Sequence, residues 1–356
     1  MGKTFLLNER YKMEREIIVS VICTAYNHEK YIEKCIKGFI MQKTSFSYEI
    51  LIHEDASTDK TAEIIKKYEE LYPNLIKVIY QKENQFSQGK SPSANLYNIS
   101  KGKYLAICEG DDYWIDENKL QKHVDFLEKN KNYSAIYSNV LIVDENNKIL
   151  DDKKARNAFP LYDDFFEKRY NGVQMSTLGQ ISSMLCINFW KLLSEASKKE
   201  FLNCRVNGDV KLHSLLNQFG DIYFSKEITS CYRRTYSGDS WNARTKNKDM
   251  SEYFYNTNIE MYNFLKKVFN FNIDLKTLLL EDLTYYFCNF LKRPTKNNFK
   301  IFYKLYKKGH VNILGFTFFF IKKVSKFILK KLKLIKPENN RPLYKGKINL
   351  EGKKNL

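Results

Sequence analysis

Tyr104-Leu105-Ala106-Ile107-Cys108-Glu109-Gly110-Asp111-Asp112-Tyr113-Trp114 holds an abrupt change of chemistry. Its first five residues form a short, unbroken apolar run, the pattern of a strand buried on both faces. Glu109, Asp111 and Asp112 follow at once. Carboxylates crowded at the end of a buried strand repel one another and resist leaving water. A hard divalent cation, magnesium or manganese, lets a fold keep such a group, and it commonly bridges carboxylates to phosphate oxygens. The plainer alternative is an acidic turn that closes the strand.

Outward from that stretch, short apolar runs alternate with helical patterns. Ile17 to Thr24 reads as a buried strand, and Glu29 to Met41 as a helix with Ile32, Ile36, Phe39 and Ile40 on one face. Tyr48 to His53 and Ile76 to Tyr80 read as strands, with a helix over Thr61 to Leu71 between them. A helix over Asn118 to Lys129 and a strand over Ser134 to Asn139 follow, and Asn146-Asn147 predicts a hairpin turn. Alternation of this kind means an α/β fold with a mostly parallel sheet, flanked by helices. Such sheets bind ligands at the carboxyl ends of their strands. Polar segments occur at three of those ends: Thr24-Ala25-Tyr26-Asn27, Glu54-Asp55-Ala56-Ser57-Thr58-Asp59 and Glu109 to Trp114. Ser57-Thr58-Asp59 and Asn27-His28-Glu29 also read as helix caps.

With 356 residues, the chain has room for two domains, or for one large domain with an appendage. A hydrophobic content of 43% and an aromatic content of 15% rule out wholesale disorder. The net charge of +18 is concentrated: residues 291 to 336 carry fourteen Lys or Arg and no Asp or Glu. That marks a docking surface. Seven Cys without a C-x-x-C pair suit free thiols in a reducing compartment. Residues 1–16 have no apolar signal-peptide core, and the longest nearly uncharged stretch, Val311 to Ile321, is about half the ~20 residues a spanning helix needs. The expectation is a cytoplasmic protein attached to a membrane surface without crossing it. On a helical projection of Val311 to Ile335, Phe320, Ile321, Val324, Phe327 and Ile328 share one side, opposite Lys322, Lys326 and Lys330. A basic amphipathic helix of this kind suits an anionic membrane, where each Lys contributes ~1 kcal/mol; the alternative is a helix packed on the protein with a solvated basic face. The acidic strand-end site and the lack of any nucleic-acid module argue against nucleic acid.

The runs V-S-V-I-C-T-A-Y-N-H-E-K-Y-I, E-D-A-S-T-D and E-G-D-D-Y-W resemble, in order and spacing, the nucleotide-sugar-binding half of glycosyltransferase family 2. The likeness continues through Ile181-Ser182-Ser183-Met184, Asn207-Gly208-Asp209 and Tyr232-Arg233, covering about Ile17 to Trp241. It implies a GT-A fold and an inverting transferase. The implied division is a catalytic domain over 1–245 (donor half about 17–115, acceptor half about 116–245), a helical basic region over 246–336, and a loose tail over 337–356. The boundary falls near Asn242 to Asp249.

By the same resemblance, Thr24 and Tyr26 line the nucleoside pocket, and Asp55 accepts a hydrogen bond from uracil. Glu109-Gly110-Asp111 with Asp112 matches the D-x-D region, Glu replacing the first Asp. Asp111 or Asp112 holds the divalent cation, and Asp209 is the general base; read alone, Asp209 is equally a helix N-cap. Thr177 to Met184 borders the acceptor pocket. One departure stands out. Relatives often carry a His after the Tyr-Arg pair, whereas here Arg233 and Arg234 precede Thr235-Tyr236-Ser237, so Arg233 or Arg234 becomes the candidate for the donor diphosphate. The implied partners are a UDP-linked sugar and a lipid-linked saccharide of a surface polysaccharide, reached from the inner face of the cell membrane. Two rivals remain at this point. A nucleotidyltransferase would want a Gly-rich phosphate loop that Thr24 to Lys30 lacks, and a non-catalytic sugar-nucleotide-binding protein would not need Asp209.

Overall fold

In the computed structural model, residues 16–150, 179–235, 251–269, 294–308 and 312–331 are described, with scattered positions between 280 and 291. They fall into two compact units. The first holds the residues described up to Ser194, together with Gly220–Thr235. The second holds Glu195–Phe219 and the residues described from 251 onward, so it takes in a segment that the sequence division counted with the catalytic half. The expected boundary near Asn242 to Asp249 and the tail from Pro337 lie outside the described residues.

The first unit runs β1 (Ile17–Ala25), α1 (Ile32–Ile40), β2 (Ser47–Glu54), α2 (Thr61–Leu71), β3 (Ile76–Tyr80), α3 (Pro92–Ile99), β4 (Tyr104–Ile107), β5 (Tyr113–Trp114), α4 (Lys119–Lys129), β6 (Tyr133–Val143) and β7 (Leu185–Ile187). After helices α5 (Glu195–Asn203) and α6 (Gly208–Phe219) of the second unit, the chain returns as β8 (Asp221–Arg233). One sheet results, in the order β3-β2-β1-β4-β7-β6-β8-β5. β1 is parallel to both neighbours, with Val21 opposite Ile50 on β2 and Ala106 on β4. β7 reverses direction between β4 and β6. The sheet is therefore mostly parallel in its first half and mixed in its second.

The apolar runs of β1, β2 and β4 form the core with Ile36 and Phe39 of α1 and Val124 and Leu127 of α4. The Phe39 and Trp114 rings meet edge to face at 4.7 Å. α1 begins at Ile32, three residues later than the periodicity predicts, because the His28 carbonyl accepts the amides of both Tyr31 and Ile32 and holds 28–31 as a turn. The hairpin at Asn146-Asn147 is present: Asp144 N donates to Lys148 O at 2.9 Å, Leu150 N to Ile142 O at 2.9 Å, and Asn147 takes φ +64°.

At the amino ends of the parallel strands, a buried carboxylate ties three segments together. Glu49 Oε1 accepts Ser20 Oγ at 2.7 Å and the Lys101 amide at 2.7 Å, while Ser20 Oγ accepts the Gly102 amide at 2.8 Å. Gly102 lies so close to β1 that a Cβ there would overlap the Ser20 amide and sit 2.7 Å from the Tyr104 carbonyl oxygen.

In the second unit, α5 and α6 pack with α7 (Ser251–Phe269), α8 (Lys296–Lys308) and α9 (Ile313–Lys331). Lys211, buried, turns its ammonium onto the Phe201 and Cys204 carbonyls at 2.8 and 2.9 Å, capping the end of α5. Leu283, Leu305 and Phe316 form a cluster with Phe287, Phe302, Phe319 and Phe320. That corrects the helical projection. Phe320 faces this cluster, whereas Leu314, Phe318 and Ile321 are left exposed. The side chains of Val324, Phe327, Ile328, Lys326 and Lys330 lie outside the described residues. Among the described residues no helix is long and apolar enough to cross a membrane.

Substituting Gly102 by Ala should force β4 away from β1 and cost about 3 kcal/mol of unfolding free energy, because the clash is with backbone that has no rotamer to yield. Urea denaturation of the full chain measures it; a cost below 0.5 kcal/mol, roughly that of a surface change, would refute the packing.

Candidate active site

Parallel pairing of β1 with β2 and β4 brings the carboxyl ends of all three strands to one edge. The pairing runs on beyond the strands: Cys108 N donates to Ile22 O and Gly110 N to Thr24 O, both at 3.0 Å. A Cβ at 110 would lie 2.8 Å from His28 Nδ1 and 3.0 Å from Ile32 Cδ1, so any larger residue would have to displace those side chains. The loops after β1 and β2 are laced to each other. Asn27 Oδ1 accepts the Thr58 amide at 2.8 Å, Ser57 Oγ accepts the Asn27 amide at 3.0 Å, and Asp59 Oδ2 accepts the Glu29 amide at 3.0 Å. Asp59 Oδ1 also accepts the Thr61 amide at 2.9 Å from one residue before the N-cap of α2, which is Lys60 rather than a residue of Ser57-Thr58-Asp59. Ala56 sits at φ +59°, a left-handed conformation that costs a non-glycine residue about 1 kcal/mol. The lacing holds it there.

Asp55 is buried at the centre of this edge. Its Oδ1 accepts the Gln85 amide at 2.7 Å and its Oδ2 the Phe86 amide at 3.1 Å, with His53 Nε2 3.3 Å from Oδ1. The carboxylate thus pins the loop that follows β3, and no sequence pattern pointed to Gln85 or Phe86. Thr24 is half-buried, and Tyr26 is 38% exposed on the loop after β1.

Glu109 is exposed, Asp111 half-buried and Asp112 buried. Burial, reinforced by the neighbouring charges of Asp111 and Glu109, pushes the Asp112 carboxyl well above the usual carboxylate range. Asp112 Oδ1 accepts the Arg233 amide at 2.8 Å. The Arg233 side chain, also buried, donates from Nε to Asp111 O at 2.8 Å, from Nη1 to Asp144 O at 2.7 Å and from Nη2 to Asn147 Oδ1 at 2.8 Å. Its guanidinium lies 4.1 Å from the centre of the Tyr31 ring. The residue read as a diphosphate ligand is therefore a clamp joining the acidic turn to the hairpin after β6. Of the hairpin residues that this clamp holds, Asn147 carried a signal in the sequence and Asp144 did not.

Among the described residues no three His, Cys, Asp or Glu side chains are arranged to hold a metal ion by themselves. The acidic turn nevertheless suits a hard cation. Magnesium-type sites take one or two carboxylates and fill the remaining positions with substrate phosphate and water, and a cation would offset both the burial and the repulsion from Asp111 and Glu109 that raise Asp112. Ile181–Ser183, within the expected acceptor segment, forms a single 3-10 turn. Its Ser182 carbonyl accepts Trp114 Nε1 at 2.7 Å. Positions 177 and 178 lie outside the described residues.

Asp209 belongs to the second unit, in the first turn of α6. Burial pushes its carboxyl above the ordinary aspartate value. The preceding Asn207 is held by Tyr253 Oη, which donates to Asn207 Oδ1 at 2.7 Å.

Replacing Arg233 with Lys should leave two or more of these oxygens without their guanidinium donor and lower stability by about 2 kcal/mol. Hydrogen exchange locates the effect: the hairpin amides of Asp144 and Leu150 should lose protection, while those of β1 and β2 keep it. Uniform loss across the sheet would contradict a local clamp.

Residues 20–199, just over half of the chain, match the family model of glycosyl transferase family 2. An uncharacterized protein of Mycobacterium tuberculosis is 36% identical over 127 residues, 36% of each chain. A UDP-Glc:alpha-D-GlcNAc-diphosphoundecaprenol beta-1,3-glucosyltransferase, WfaP of Escherichia coli, is 33% identical over 126 residues, 35% of this chain and 47% of its own. The match thus spans between about a third and a half of these curated relatives. The crystal structure of S. aureus TarS 1–349 in complex with UDP-GlcNAc shares the fold, with a TM-score of 0.53 at 16% identity over 82% of this chain and 80% of that one. With its mostly parallel sheet, helices on its flanks and an acidic turn after β4, this chain belongs to glycosyl transferase family 2 and has the GT-A fold.

Proposed function

We propose that the protein is an inverting glycosyltransferase that moves one sugar from a UDP-linked donor to a lipid-linked saccharide acceptor in surface-polysaccharide synthesis, working at the cytoplasmic face of the membrane. The observation that carries this reading is the gathering of Asp55, Glu109 and Asp111 at one edge of a parallel sheet, in a chain of this family. The name of the Escherichia coli relative, with its UDP-Glc donor and diphosphoundecaprenol-linked acceptor, supports both partner classes. The UDP-GlcNAc in the TarS structure supports the uridine-linked donor.

In this mechanism Thr24 and Tyr26 border the nucleoside. Asp55, which already orders the Gln85–Phe86 turn, accepts from the uracil ring with a remaining lone pair. Asp111, the less buried of the paired aspartates, holds the divalent cation with Glu109 beside it, and Asp112 steadies the turn from behind through Arg233. Magnesium or manganese bound there stabilises the charge that develops on the leaving diphosphate. The acceptor oxygen forms the new bond to the anomeric carbon as the bond to the diphosphate breaks, and the hydroxyl proton passes to the Asp209 carboxylate. A carboxyl with a raised proton affinity is suited to that task.

Two measurements test this. UDP with manganese should raise the melting temperature, EDTA should remove the rise, and Asp111→Asn should remove it without chelator. A flat response to UDP, GDP, dTDP and CMP alike would end the transferase reading. Asp209→Asn should lower kcat by about a thousandfold while donor binding and melting temperature hold. As the pKa of Asp209 is raised, the ionised base is lost on falling pH through a value above 3.8, so the acid limb of kcat/KM should lie above 3.8 and vanish in the variant. A fall in melting temperature without loss of turnover would make Asp209 a helix cap instead.

A further inference from the structure

The region from 291 to 336, with fourteen Lys or Arg and no Asp or Glu, also contains six of the sixteen large hydrophobic side chains left exposed among the described residues. Leu314 and Phe318, at 75% and 73%, are the most exposed of them all. With Ile321 (57%) they stand at i, i+4 and i+7 on α9 and form one outward stripe. They are not the helix's core face: Phe316, Phe319 and Phe320 pack into the cluster with Leu305. On α8, Phe299 and Tyr303 are half exposed and stacked at 6.0 Å between ring centres. Exposed Lys296, Lys300 and Lys307 follow the same helix, with Lys307 Nζ 5.1 Å from the Tyr303 ring centre.

An exposed apolar stripe in a segment that carries fourteen Lys or Arg and no acidic residue fits one kind of cover better than others. An anionic phospholipid surface accepts the side chains in its acyl boundary and the ammonium groups among its phosphates. We propose that α8 and α9 dock on such a surface, with Leu314, Phe318 and Ile321 as the inserting residues and Lys296, Lys300 and Lys307 as headgroup contacts. The proposal rests on the transferase reading in one respect, namely that a lipid-linked acceptor gives the docking a purpose. It keeps Ile321 from the side that the helical projection singled out and sets Leu314 and Phe318 in place of Phe320, which is taken by the core.

The test is cosedimentation of the full chain with phosphatidylcholine vesicles, with and without phosphatidylglycerol, alongside the UDP–manganese thermal shift. Binding should require phosphatidylglycerol and weaken with salt. The triple variant Leu314→Gln, Phe318→Gln, Ile321→Gln should bind about a hundredfold more weakly, with an unchanged thermal shift. The variant Lys296→Glu, Lys300→Glu, Lys307→Glu should also lose binding; it leaves the apolar stripe intact and decides the matter if the glutamine variant fails to fold. Binding of the glutamine variant at the wild-type level overturns the proposal. So does equal binding to neutral vesicles, or a wild-type dimer, indifferent to lipid, that the glutamine variant dissolves. Vesicle binding without any nucleotide response supports the docking face while removing the transferase reading.

Discussion

Everything at the candidate site depends on the parallel register of β1 between β2 and β4. Parallel neighbours share a direction, so the chain leaves each of the three strands at the same edge, and polar loops far apart in sequence become adjacent. The register continues one step past the strands through the Gly110-to-Thr24 hydrogen bond, which aims the acidic turn at the loop after β1. No residue at that edge acts alone. The side chains of Asn27, Ser57, Asp59 and Thr61 accept the backbone amides of Thr58, Asn27, Glu29 and His28 across the two loops, so the edge is ordered before any ligand arrives. Preorganisation of this kind lets a site place charge accurately without reorganising during the reaction.

Buried charge sets the remaining order. Glu49 serves the amino ends of the strands and Arg233 the carboxyl ends, each by gathering backbone groups from separate segments. Such groups are costly to bury and cost more when a partner is removed, which makes them selective for one arrangement of the chain. Arg233 is the more consequential. It reaches the Asp111 carbonyl, the Asp112 carboxylate through its amide, and the hairpin after β6, so the acidic turn takes its position from a residue more than a hundred positions away. The second unit shows the same economy in Lys211, whose ammonium closes α5 and steadies the base of the helix that carries Asp209.

Much was legible in the sequence because local periodicity and sheet packing agreed. The strands at Ile76–Tyr80 and the helix at Thr61–Leu71 match residue for residue, since their apolar spacing has only one reading. β8 escaped notice for the opposite reason: its Ser225-Lys226-Glu227 segment breaks the alternation, and its pairing with β6 absorbs the break through register shifts. The helix Pro92–Ile99 escaped because its apolar face is short. The second unit was harder still, since long Phe- and Lys-rich helices admit several faces as the buried one.

What the sequence determined by itself was a partial inventory: the parallel strands that lead to the site, where the carboxylates cluster, and that the positive charge is concentrated near the C-terminus. Those properties are local, and a few neighbouring residues suffice to define them. Only the tertiary structure decided the division of labour among them. It turned Arg233 from a ligand candidate into a clamp, tied Asp55 to the loop after β3, distinguished the buried Asp112 from the more open Asp111, and left Leu314 and Phe318 rather than Phe320 facing outward. Each of these outcomes depends on which distant backbone group or side chain arrives alongside, and spacing along the chain does not encode that.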